Sequence, residues 1–406
     1  MGIIHTEKLT GPSVWKGPDF EGDDSWIRPL TPAHSDELEA AVAAVQSAGK
    51  SFPDFVIEDF PLPAFDAQLR AWGDELESGP GFILVRGIPI ERFDDDAIDI
   101  LYYGLGLHMG VPVTQNPAGD FIGRVMNVGD LEDRQTRVYE TNAYLPYHTD
   151  PSDMVGLLCI RQAKTGGISS LISSGALYNE MLARYPQYLS TFYRPMYYPH
   201  LGGDEPALSP VFSYHQGKMT VRYLRQYLEL GADMMGRPMS EVELEAMDVF
   251  DQIMHEPDMR IDMMMQPGDL QLVNNYTVMH SRTSFEDHDD LALRRRNSCV
   301  LGRSSGRGER KRGARFALTA PAASVEAHTA VSTASRIIVL TSAACWFSTS
   351  TTLLLCVSRD WHMVSGVTEV ALLFLFFFFF GPSLMIEFTT WSSVLTRERW
   401  LRREIG

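Results

Sequence analysis

Apolar positions recur at two periods along this chain, and the switch between them divides its first three quarters. DELEAAVAAVQSAG (Asp36 to Gly49) carries apolar residues at helical spacing and ends on glycine, the usual helix stop, and FDAQLRAWGDEL (Phe65 to Leu76) repeats the pattern. GFILVRGIPI (Gly81 to Ile90) reads as a buried strand running into a Gly-Ile-Pro break, and FDDDAIDILYYGLGLHMG (Phe93 to Gly110) as a third amphipathic helix. Beyond it, short segments rich in branched residues take over: FIGRVMNV, MVGLLCI, SSLISS, KMTVRYL and LQLVNN, separated by turn clusters such as KTGG and QPGD. Helical patterns return in ALYNEMLARYP and SEVELEAMDVFDQIMHE. Together these predict a mainly β fold with flanking helices, a β-barrel or jelly roll with the helices packed outside.

The pattern breaks down after Asn297. GRSSGRGERKRGAR is basic and glycine-rich, the next stretch is rich in Ala, Ser and Thr, and VALLFLFFFFFGPSLMI contains five consecutive phenylalanines, Phe376 to Phe380. A membrane-spanning helix needs about 20 apolar residues, which this run nearly supplies. A homopolymeric phenylalanine run is nevertheless a poor packing surface, and the composition resembles translated non-coding sequence joined onto an enzyme. The expected organisation is therefore an N-terminal helical segment over 1–80, a β domain over 81–297 and an atypical, unfolded extension over 298–406. Membrane contact is expected through the apolar run alone.

Composition narrows the partners. With 406 residues the chain can bury a full core in one or two domains, and a net charge of −17 disfavours nucleic acid and anionic membranes, which leaves a small-molecule substrate. Of four cysteines only Cys159 precedes the last third, no disulfide framework or CxxC pattern emerges, and the N-terminus lacks a secretory signal. A cytoplasmic protein is expected, with homo-oligomerisation left open.

The candidate chemistry begins at LPYHTDPSD. On a strand, His148 and Asp150 point the same way and could supply two ligands to Fe(II), Mn(II) or Zn(II), although such a pair alone is more often a hydrogen-bonded turn. QPGDLQLVNNYTVMHSRTSFED delivers His280 just past a second strand, so a returning strand could close a facial triad of two histidines and one carboxylate, with three coordination positions open. Arg294, Arg295 and Arg296 follow. A dicarboxylate co-substrate such as 2-oxoglutarate needs a buried cation, and strand alternation lets one or two of the three face inward. His108 and His215 have no partner at metal spacing and are expected to be structural.

TNAYLPYHTDPSD, AKTGGISSLISSGALYNEM, GDLQLVNNYTVMHSRTSFED and the arginines together resemble the taurine dioxygenase-like family of Fe(II)/2-oxoglutarate oxygenases, the group that includes clavaminate synthase, over approximately Gly81 to Arg296. The resemblance implies a double-stranded β-helix with iron held by His148, Asp150 and His280. It implies that Ser169, after Gly166 and Gly167, helps to bind the 2-oxoglutarate carboxylate, with Arg296 as the foremost partner and Arg295 as the alternative. It further implies that O2 and 2-oxoglutarate are consumed, with succinate and CO2 released, and that the retained carboxylate of Asp150 directs the outcome to hydroxylation or a related oxidation. Asn142, Asn116 and Arg225, with Arg222 and Tyr223, are expected to face the substrate. One departure stands out: the family's second arginine, four positions after the first, is replaced by Cys299 or Val300. The final strand is thus expected to be missing. Two alternatives follow, an inactive or incomplete member without its closing strand and a tail-anchored membrane oxygenase.

Overall fold

The computed structural model describes residues 4–116, 119–127, 141–199, 205–215 and 218–303. The phenylalanine run and everything past Arg303 lie outside the described residues, as does any test of a membrane anchor there. Among the described residues no helix is long and apolar enough to cross a membrane.

Two facing sheets carry the fold. The larger, seven-stranded one runs β1 (Ile27–Pro29), β2 (Phe82–Arg86), β14 (Leu270–Asn274), β6 (Met154–Arg161), β17 (Arg296–Arg303) and β3 (Val111–Val113), with β4 (Ile122–Val125) also on β17. The smaller runs β13 (Arg260–Met263), β8 (Ser169–Ser173), β15 (Val278–Arg282) and β5 (Leu145–His148). Short pairs complete it: β7 (Thr165–Gly166) with β16 (Phe285–Glu286), β9 (Met196–Tyr198) with β10 (Ala207–Ser209), and β11 (Phe212–His215) with β12 (Lys218–Val221).

Strand alternation sorts the side chains. Phe82, Leu84, Val155, Val273 and Leu301 of the large sheet meet Leu171, Val278 and Ile261 of the small one in a shared interior. Their neighbours Ile83, Val85, Leu158, Leu270 and Val300 turn outward under α1 (Pro32–Ser47), α2 (Phe65–Ser78) and α3 (Asp95–Met109). This is why FILV is buried throughout: both faces of β2 are covered. The outer face of the small sheet is closed by α4 (Ser174–Arg184), the short α5 (Leu189–Phe192), α6 (Arg225–Met234) and α7 (Glu241–Met254) around Ile172, Met279 and Phe250. The first helix starts earlier than the periodicity predicts, because Thr31 accepts the His34 N–H as an N-cap and Pro32 fits the first turn.

The expectation of a missing closing strand is overturned. Residues Arg296–Arg303 form β17, hydrogen-bonded to β6 along one edge and to β4 and β3 along the other. RNSCVLGR alternates as such a strand must, with Leu301 facing the interior and Val300 the helices. The change in composition therefore falls after the strand, not before it, and 298–303 belong to the β domain. The N-terminal segment is likewise more than helical, since Ile27–Pro29 pairs in parallel with β2.

Candidate active site

The inner face of the small sheet brings three of the predicted residues together. β15 runs antiparallel to β5, and His280 is the direct cross-strand partner of His148, with ring centroids 4.2 Å apart. HTD is not one continuous strand: β5 stops at His148 and Asp150 lies in the loop beyond. Asn275 builds that loop, accepting the Asp150 N–H (3.0 Å) and donating to the carbonyls of Asp150 and Ser152. Thr149 is turned aside as expected, pairing through backbone and hydroxyl with Tyr223. The result places Asp150 3.9 Å from His148 Nε2 and 3.4 Å from His280 Nε2, with ligand atoms of all three within 4.8 Å of one another.

Protonation suits a cation here. His148 Nδ1 lies 2.8 Å from the Pro146 carbonyl, which accepts its proton and leaves the Nε2 lone pair toward the triad. Burial, with the neighbouring His280 charge, pushes His148 down to about 4, so the ring is neutral. Burial would raise Asp150, but its hydrogen bond to His280 and both imidazoles outweigh that and hold it below the usual carboxylate range. Two imidazole nitrogens and one carboxylate oxygen, enclosed by protein, fit a borderline divalent ion such as Fe(II).

Beyond the triad the interior is cationic. Gly166 and Gly167 adopt φ of 75° and 74°, a left-handed turn that needs glycine, and a Cβ on Gly166 would sit 2.4 Å from the Ser284 carbonyl. That turn delivers Ser169, whose buried hydroxyl donates to Gln271 Oε1 at 2.6 Å. Arg295 also points inward: it lines a small cleft with Cys159, Gly167, Met265 and Asn297, and lies 5.1 Å from the Phe285 ring centroid. Its Nη1 is buried and has no partner among the described residues.

Arg296, expected to be foremost, goes the other way. It bonds Asp95 Oδ1 at 2.5 Å at the start of α3, on the helix-covered face of the sheet. Arg294 is tied to the carbonyls of Asn127 and His288. Two of the expected substrate residues are engaged elsewhere. Asn116 closes its own turn through both ends of its amide to Asp120 (2.7 and 3.2 Å), and Arg225 is taken up by Glu229, Asp248 and Asp251, bracing α6 on α7. Asn142 is half-buried, its carbonyl accepting the Phe285 N–H at 3.1 Å. His108 is structural, with its ring nitrogens against Asp66 (2.9 Å) and the Phe60 carbonyl (2.8 Å); for His215 the backbone alone is described.

One interior residue was not anticipated. Arg282 follows His280 by two positions and shares its face of β15, a signal available in the HSR triplet. Burial, with the charge of Arg295, pushes it down to about 9.

Comparison with known proteins agrees with this geometry. Residues 41–296 match the model of the family described as taurine catabolism dioxygenase TauD, TfdA. FR-33289 synthase of Streptomyces rubellomurinus is 31% identical over 298 residues, covering 71% of this chain and 88% of its own. Taurine hydroxylase-like protein SAT17 of Stachybotrys chartarum is 26% identical, covering 68% and 75%. Among solved structures, asparagine oxygenase with Fe(II), 3-hydroxyasparagine and succinate is similar in fold (TM-score 0.54, 18% identity, 68% of this chain and 94% of that one). So is the non-heme iron oxygenase OrfP with Fe and alpha-ketoglutaric acid (0.52, 16%, 69% and 94%). The chain belongs to the TauD, TfdA family, and is an iron- and 2-oxoglutarate-dependent oxygenase.

Proposed function

We propose that this oxygenase hydroxylates a small polar or anionic molecule in the cytoplasm, with His148, Asp150 and His280 as metal ligands and Arg295 with Ser169 as the seat of the co-substrate's far carboxylate. The observation that carries the reading is a three-ligand cluster on the inner face of the small sheet together with a buried arginine, beside β17, that has a nitrogen without a partner among the described residues. The substrate class is supported by two solved structures similar in fold, one bound to a hydroxylated asparagine and another to L-Arg, and Asn142 is kept as an expected substrate contact. The free thiols Cys159 and Cys299 inside the fold suit a reducing compartment.

When bound, iron and 2-oxoglutarate supply the oxidising chemistry, O2 being consumed as the keto acid goes to succinate and CO2 and one oxygen atom enters a substrate C–H bond. The chain holds and screens. The Pro146 carbonyl fixes the His148 tautomer, Asn275 fixes the loop that carries Asp150, and burial of both imidazoles keeps bulk water from two of the three ligands. Arg295 offers a charge-assisted hydrogen bond in a setting without competing water.

The test is an anaerobic titration of the full chain with Fe(II) and then 2-oxoglutarate, followed by the visible charge-transfer band of the chelate. A band that disappears in His280→Ala supports the assignment. Iron binding without a band would sink it.

A further inference from the structure

Arg282 is more than a neighbour of the metal site. Its cross-strand partner on β8 is Ser169, whose hydroxyl reaches Gln271 on the opposite sheet, so the pair stands in the interior between the sheets. Nη2 of Arg282 donates to the carbonyls of Thr141 (3.1 Å) and Ala143 (2.5 Å). Nε and Nη1 are buried with no partner among the described residues. The guanidinium lies 4.7 Å from the centroid of Phe285, the same ring that Arg295 approaches at 5.1 Å.

Two enclosed guanidinium groups beside one ring repel each other, and each has lost water that its free N–H groups would otherwise bond. Asp287 is the acid that faces both. One of its oxygens accepts the Arg295 backbone N–H at 2.7 Å and the other is unpartnered. One carboxylate against two guanidiniums leaves one positive charge to be met from outside. Distance singles out the end of the ligand concerned. Two residues along a strand span about 6.7 Å, so Arg282 lies one such step beyond the ligand His280, comparable to the reach of a five-carbon keto diacid from its chelating end to its far carboxylate.

We propose that Arg282 is a second cation for the far carboxylate of the co-substrate, acting beside Arg295, and that it selects a keto diacid over a keto monoacid of the same length. This rests on the co-substrate reading given above. The same guanidinium ties Thr141 and Ala143, on either side of Asn142, to the strand that carries His280.

The experiment compares anaerobic binding of 2-oxoglutarate and of 2-oxopentanoate, which lacks the far carboxylate, to the Fe(II)-loaded full chain by calorimetry and by the charge-transfer band. Arg282→Met is expected to weaken 2-oxoglutarate by roughly tenfold or more, while 2-oxopentanoate shifts by less than about twofold. Arg295→Met, with Arg282 untouched, is expected to keep part of the preference for the diacid, and the double variant to lose it. Equal weakening of both acids by Arg282→Met would reduce the residue to a structural brace and overturn the proposal. So would loss of all preference in Arg295→Met alone, a result that stands even if Arg282→Met does not fold. A wild-type chain that binds neither acid would overturn the underlying reading as well, which separates the two failures.

Discussion

Two adjacent arginines, one just before β17 and one at its first position, should behave as opposites. Arg295→Met removes the inward cation, and Arg296→Met removes the one that faces the helices. A charge-assisted hydrogen bond in a dry site is worth about 1.5–3 kcal/mol, so Arg295→Met should raise the 2-oxoglutarate Kd by about 10- to 150-fold. Its cost to stability should be small, since exchanging an under-compensated buried charge for an apolar side chain is often neutral. Arg296 is 4% exposed in its side chain, but its partner Asp95 is 66% exposed and can rehydrate when released. The lost pair is then worth about 1 kcal/mol, offset in part because Nε and Nη2 of Arg296 are buried without partners. Arg296→Met should therefore lower the urea midpoint slightly and leave the Kd within about twofold of wild type. Anaerobic titration and urea unfolding of both variants give the four values needed. A large Kd change in Arg296→Met with none in Arg295→Met would show that the side-chain alternation assigned to β17 is inverted.

The neutral state of His148 sets a pH dependence for the metal-free protein. The unfolded chain takes up this proton near the ordinary 6.5 and the folded chain only near 4, so acid favours unfolding: stability is fully present above about 6.5 and declines as pH falls toward about 4. Urea midpoints across that window should flatten in His148→Asn, and equal slopes in the two proteins would reject the assignment. Val300→Pro should cost about 3 kcal/mol or more, because β17 is paired on both edges and the ring breaks a ladder; a neutral effect would mean that the strand does not close the sheet. Arg225→Met should lose about 1 kcal/mol from the partly exposed α6–α7 brace and leave turnover unchanged, whereas a loss of turnover at unchanged stability would return Arg225 to the substrate pocket.

What could be read in the sequence, and what could not, follows from how far each feature depends on long-range pairing. The order of helices and strands was legible because both faces of the large sheet are covered, which makes a segment such as FILV continuously apolar. HTD and the later histidine were legible as residue types; their convergence depends on His280 pairing with His148 across 132 positions, a register no local pattern encodes. Asn116 and Arg225, expected at the substrate, show the opposite case of side chains engaged locally. Their partners Asp120 and Glu229 sit four residues away, and a polar side chain with such a neighbour is satisfied before any substrate arrives.

The arginines show the limit most sharply. Adjacent residues on a strand leave opposite faces, so choosing between Arg295 and Arg296 means fixing the parity of β17 to a single residue. That parity is set by pairing with β6, where Arg296 faces Arg161 but Asn297 faces Cys159, a one-residue irregularity at the very position in question. Reading the strand in the other direction resolves it: Leu301 must face the apolar interior with Val155, Cys299 and Asn297 follow at steps of two, and Arg295 falls on the same side. The same counting from His280 puts Arg282 inside as well. An inward residue already fixed by packing is therefore the better origin for assigning the rest of a strand than the spacing of its charges.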